Sequence, residues 1–205
     1  MYEVVLEPEP GYRWGNFSFQ LCSIPMYLCI IVPCLKEGTV RQAMYTFMMT
    51  YNLVGGFIAF FEPSGLFHGH WTLTFHALIW HMILVFVGVY IGFSGRGGQD
   101  LYRYKYAMRL FFVLCMIAYG FNLIFWEVSA HEVGVFFLGP KDPSIIVFKQ
   151  IAETFGWVVS NELYILSLCL GAYLVFILFR LVCKRMDLKV EPSNPEQKKE
   201  PAEML

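Results

Sequence analysis

Four residues with chemical capability stand inside strongly apolar sequence: Cys22, His76, His81 and Asn122. Polar groups in such surroundings are costly, and usually face an interior or a water-filled cavity. Two chemistries can use the set. In the first, Cys22 is a nucleophile whose thiolate is generated by a histidine, while Asn122 orients the base or the oxyanion. A thiol among apolar groups has a raised pKa and is inert, so an adjacent base is required. In the second, histidines bind a metal. The string H-x-H-x5-H-x4-H from His68 to His81 is dense in imidazole. It lacks the i, i+4 pair that presents two ligands on one helical face. His70 and His81 share a face but lie about 16 Å apart along a helix axis. A tight site would need ligands from elsewhere, so no metal ligand is assigned and no cofactor is expected.

The elements that must position these residues are membrane spans. Hydrophobic residues make up 57% of the 205 and charged ones only 15%, with a mean hydropathy of +0.53. A soluble domain carries roughly a quarter charged residues. About 20 apolar residues cross the hydrocarbon core, and stretches of that kind fall at 17–35, 40–61, 71–93, 106–126 and 157–183. Helix is the structure that satisfies their backbone in lipid, since the strict alternation of a barrel strand is absent. The expected fold is therefore an all-α, multi-pass transmembrane bundle of about five spans.

The remaining segments are polar. Residues 1–16 have neither a basic n-region nor an apolar h-region, so they read as an extracytoplasmic segment instead of a secretory signal. The transmembrane domain runs over 17–186. Within it, 142–156 reads as an interfacial or re-entrant helix, with Asp142 as N-cap and Pro143 as first helical residue. Residues 187–205 are proline-interrupted and charged, the composition of a disordered cytoplasmic tail. The six cysteines show no CxxC spacing and lie in or beside apolar segments, so a disulfide framework is not expected.

Orientation follows from basic residues. Five spans place Arg13, Lys141 and Lys149 on one side, and the other twelve of the 15 basic residues opposite. That bias puts the N-terminus outside and the C-terminus in the cytoplasm. The same topology gathers most polar side chains near the outer face. Gln20 and Cys22 belong to the first span, Glu62 to the end of the second, and His76 and His81 to the third. Asn122 and Glu127 end the fourth, and Asn161 and Glu162 open the fifth. At span ends a solvated head group is the ordinary role of a glutamate; Gln20, Glu62 and Glu127 are the candidates for contact with substrate. His76 and His81 are about 7 and 15 Å into their span and point about 140° apart. Only one of them can face a given partner.

The stretch FSFQLCSIPMYLCIIVPCL around Cys22 resembles a span opening of the YwaF-type integral membrane proteins. YNLVGGFIAFFEPSGLFHGHWTLTFHALIWHMILVFVGVYIG resembles their next two spans, with the Gly55–Gly56 pair, the Glu62-Pro63 exit and the histidine helix. FNLIFWE carries an asparagine like theirs, and ELYILSLCLG resembles their last span. The likeness covers about residues 17–182. It departs at Phe19, where the family places proline–leucine, and in the further span those proteins commonly place before the cysteine helix.

The resemblance implies a cysteine-dependent, coenzyme-A-independent phospholipid transacylase, as in animal relatives of that family. Cys22 would accept the acyl group, His81 (with His76 as substitute) would be its base, and Asn122 a supporting polar group. The leading expectation is thus a lipid acyltransferase in the plasma membrane or endoplasmic reticulum. The alternatives are a metal-dependent membrane hydrolase, or a non-enzymatic partner subunit or small transporter. Membrane lipids are the expected partners, together with a second membrane subunit or another copy of the chain. Nucleic acid is not, because a formal net charge of -1 offers no basic field.

Overall fold

The computed structural model describes residue 14 and residues 17–67, 69–98, 100–141, 143 and 145–185. His68, Asp142, and nearly all of the two terminal segments, 1–16 and 187–205, lie outside the described residues. Among those described, the chain is helical throughout, with no strand. Six helices follow in order: α1 (Ile24–Ile31), α2 (Thr39–Phe61), α3 (Trp71–Phe93), α4 (Leu101–Ile124), α5 (Ile146–Phe155) and α6 (Trp157–Arg185). Of these, α2, α3, α4 and α6 are long and apolar enough to cross a membrane.

The apolar stretch at 17–35 folds differently from a full span. Residues 17–23 run through bends and turns, closed by a bond from Ser23 N–H to the Gln20 carbonyl at 2.8 Å. Only Ile24–Cys34 is helical, and its last three residues tighten into a 3-10 turn. Two prolines account for both limits. Pro25 sits in the first turn, where its missing N–H costs nothing. Pro33 cannot continue an α-helix because its ring collides with the carbonyl four residues back. The result is a helix about 16 Å long, roughly half the hydrocarbon thickness. Cys22 therefore stands on a turn ahead of α1.

Helix α2 is the centre of the bundle and touches α1, α3, α4 and α6. It is interrupted midway by one π-helical turn, Met48–Asn52, whose five residues are all buried. Around this turn an aromatic stack forms the core. Tyr51 lies 4.3 Å from Phe111 and 5.4 Å from Phe47 between ring centroids, and Tyr104 lies 4.9 Å from Phe176. Small residues bring the helices together, as in membrane bundles generally. A Cβ on Gly88 of α3 would stand 2.8 Å from Leu53 Cβ, and one on Gly56 of α2 would stand 3.0 Å from Leu84 Cβ.

Helices α5 and α6 form a tight hairpin at Gly156, whose φ of +88° suits glycine. The Ser160 hydroxyl donates to the Phe148 carbonyl at 2.7 Å, clamping the two arms. The helix begins at Ile146, three residues beyond Pro143, and at ten residues α5 is too short to span. All six cysteines are free thiols.

Candidate functional site

The turn bearing Cys22 is held from α3. The indole N–H of Trp80 donates to the Cys22 carbonyl at 3.0 Å. This bond spans 58 residues of sequence and fixes the height of the thiol against the third helix. The next residue on α3, His81, brings its ring to the same region. His81 Nδ1 lies 2.8 Å from the Ala77 carbonyl. A carbonyl can only accept, so Nδ1 carries the proton, and in the neutral ring Nε2 keeps its lone pair. Phe60 of α2 meets the imidazole edge-on at 6.5 Å between centroids. His81 is thus prepared to accept a proton at Nε2.

A loop between α4 and α5 roofs this region, and its backbone is held by three amide side chains. Asn122, fully buried at the end of α4, donates to the carbonyls of Val135 and Leu138 at 2.8 and 2.6 Å. Its carbonyl oxygen accepts from Val135 N–H at 2.9 Å. Gln20 accepts from Phe136 N–H at 2.8 Å and donates to the Gly134 carbonyl at 3.3 Å. Asn161 at the start of α6 donates to the Gly139 carbonyl at 3.2 Å. These partners stand in for regular secondary structure. They hold Phe136 and Phe137 at φ of +61° and +54°, a left-handed conformation that bulky residues adopt only under constraint.

Below the loop is a cavity of about 410 Å³, within the range of small-molecule sites. Its wall is mainly apolar: Leu21, Ile58, Ile145, Phe148 and Leu168 contribute. Its polar groups are few, namely Gln20, Cys22, Glu62, His81, Lys141, Tyr164 and Ser167. Leu21 and Leu168 on its wall are buried, whereas Ile58, Lys141 and Ser167 are exposed, so the cavity reaches the protein surface. Ile58 on α2 and Ser167 on α6 lie within membrane-spanning helices; Lys141 and Glu62 lie beyond or at the ends of theirs.

The other residues singled out by their types are placed as follows. His76 is exposed on α3 and does not line the cavity. Asn122 also lies off the cavity wall, its side chain occupied by the loop. Glu127 is exposed and pairs with His131 at 3.5 Å. Glu162 is exposed on α6. No group of three His, Cys, Asp or Glu side chains with metal-binding spacing occurs among the described residues. The sequence carries no functional expectation for Trp80, Tyr164 or the Gly134–Phe137 loop. The one available signal was a tryptophan set mid-span, where an indole N–H must find a partner.

The model of the TMEM164 family matches residues 7–182. No curated protein and no solved structure matches the chain. The match takes in every helix described above except the last three residues of α6. The chain belongs to the TMEM164 family, a transmembrane family, and is a multi-pass membrane protein.

Proposed function

From that membership as starting point, we propose that the protein is a membrane acyltransferase that carries the acyl group on Cys22. The observation that carries the reading is the convergence of Cys22 and His81 on one largely apolar cavity. They come from segments 59 positions apart in the chain. The bond from His81 Nδ1 to the Ala77 carbonyl leaves Nε2 as the nitrogen that can accept a proton, and the turn bearing the thiol is bonded to the same helix. An adjacent base is what a cysteine in apolar surroundings needs to become a nucleophile. The resemblance of the Cys22 and His81 segments to YwaF-type proteins supports the same chemistry.

The donor is a lipid ester and the acceptor a lysophospholipid hydroxyl. The cavity suits such molecules because it joins an apolar interior to polar groups at one end. An acyl chain can enter between Ile58 and Ser167 at membrane depth, while the head group stays near Lys141 and Glu62. His81 Nε2 takes the thiol proton, and the Cys22 sulfur attacks the ester carbonyl. The C–S bond forms as the carbonyl electron pair moves onto oxygen. Collapse of this oxyanion expels the lysolipid alkoxide, which takes the proton back from His81. The acceptor hydroxyl then gives its proton to His81 and attacks the thioester. Collapse of the second oxyanion returns the Cys22 thiolate, which recovers its proton.

The positive charge bias of the opposite side supports an extracytoplasmic position for this cavity. Purified protein incubated with a phospholipid bearing a tagged acyl chain should form a hydroxylamine-sensitive adduct. Cys22→Ala should abolish it. Undiminished labelling of that variant would sink the nucleophile assignment.

A further inference from the structure

Gln20 stands two residues before Cys22, lines the same cavity, and has an amide whose orientation is set by its neighbours. Phe136 N–H can only donate, so the atom 2.8 Å from it must be the side-chain oxygen. The Gly134 carbonyl can only accept, so the atom 3.3 Å from it must be the nitrogen. A flipped amide would set N–H against N–H and oxygen against oxygen. The nitrogen carries two hydrogens. One is directed to Gly134, and the second meets no acceptor among the described residues. A fixed amide N–H beside a nucleophile, with its second hydrogen uncommitted, is the arrangement that stabilises a developing oxyanion.

We propose that Gln20 is the oxyanion donor of acyl transfer. The assignment rests on the acyl-Cys22 reading above. As the sulfur–carbon bond forms, the electron pair displaced from the carbonyl π bond settles on its oxygen, and the free Gln20 N–H donates to that oxygen. On collapse the pair returns to the carbonyl and the alkoxide leaves with the His81 proton. The same donor serves the second oxyanion, formed when the acceptor attacks the thioester. The loop thereby acquires a chemical purpose. Phe136 and Gly134 hold the amide in place, and Asn122 holds Val135, which lies between them, and Leu138, two residues beyond.

The test separates steps that create an oxyanion from one that does not. A lipid-tailed iodoacetamide alkylates Cys22 by direct displacement at carbon, with no oxyanion. A phospholipid ester probe acylates it through one. In Gln20→Met the alkylation rate should stay within about threefold of wild type, since the thiol and its base are intact. Acylation should fall about 10²- to 10³-fold, the loss typical of one oxyanion donor. Gln20→Glu keeps the acceptor for Phe136 N–H and should lower the acylation-to-alkylation ratio similarly, which guards against simple loosening of the loop. Equal losses of both reactions, or an unchanged ratio in both variants, would overturn the assignment and leave acyl-Cys22 standing. Wild-type protein that is alkylated at Cys22 but never acylated would overturn the thioester reading, and this one with it.

Discussion

Trp80 holds the carbonyl of Cys22 at 3.0 Å, and its neighbour His81 lines the same cavity as Cys22. Successive residues on an α-helix point about 100° apart. One side chain of the pair therefore anchors the turn from the side, while the other faces the cavity. The hydrogen bond couples the height of the thiol to the height of its base, because both are read from the same turn of α3.

Trp80→Phe keeps most of the packing and removes the donor. A single hydrogen bond of this kind contributes about 1 kcal/mol to stability, so the melting temperature should drop only slightly. The kinetic effect should be larger. A misplacement of about 1 Å at a reacting centre can cost up to about 10²-fold, and acyl transfer should slow by about tenfold or more. Melting curves and labelling rates measured on the same preparation check this. An unchanged rate would mean that the indole does not hold the thiol in register.

Replacing the two histidines of α3 should give opposite results. His81→Ala removes the base from the cavity and should lower acylation by about 10²- to 10⁴-fold, the usual contribution of a positioned proton acceptor. His76→Ala alters an exposed position off the cavity wall and should leave the rate near wild type. Loss of activity on His76 replacement alone would point to a different binding face of α3.

Much of the fold was legible because hydrophobic length is a one-dimensional signal. The third span, 71–93, is read from its apolar run to the residue. Helix α4 starts five residues before the predicted 106, because Arg103 and Lys105 end the apolar pattern without ending the helix. Long basic side chains cover apolar surface with their stems and so tolerate a span's first turn. The stretch at 17–23 is apolar, yet it lacks helix because Pro25 favours a start at Ile24. Hydropathy could not show that Cys22 lies on a turn. The loop at 134–139 was beyond reach of the sequence for a different reason. Its left-handed Phe136 and Phe137 depend on amides at positions 20, 122 and 161, and local propensity carries no trace of such distant partners. Asn122 drew attention as a base-orienting group, whereas its hydrogen bonds all go to loop backbone.

The close approach of α3 and α6 rests on Gly92. A Cβ there would lie 2.3 Å from the ring of Phe179, itself in an edge-on contact with Phe93 at 5.6 Å. Gly92→Ala should destabilise the bundle by about 1–3 kcal/mol through overpacking. Phe179→Leu in the same chain should recover part of that loss, because it removes the colliding ring atoms. A double-mutant cycle in a mild detergent, read by thermal melting, measures the coupling. Strict additivity of the two changes would show that the helices shift apart instead of clashing.

Asn122 offers the sharpest contrast between holding a loop and taking part in the reaction. Its amide satisfies one N–H and two carbonyls of the roof at 2.9, 2.8 and 2.6 Å, and the residue is fully buried. Asn122→Ala leaves Val135 N–H and the Leu138 carbonyl without a partner, each costing about 1–3 kcal/mol, while the Val135 carbonyl keeps its bond from Leu138 N–H at 3.2 Å. The variant should therefore lose several kcal/mol of stability by that reckoning, and protease should cut the loop at 126–145 sooner than in wild type. Asn122→Asp should be as damaging, since a carboxylate can still accept from Val135 but sets negative oxygen against the carbonyls of Val135 and Leu138. Alkylation of Cys22 should decline in both variants, because loop residues Gly134 and Phe137 wall the cavity that Cys22 and His81 line. Acylation should decline at least as far, because Gln20 loses its partners with the loop. A selective loss of acylation at unchanged stability would instead make Asn122 a donor to the reacting oxygen, and the roof would then need another support.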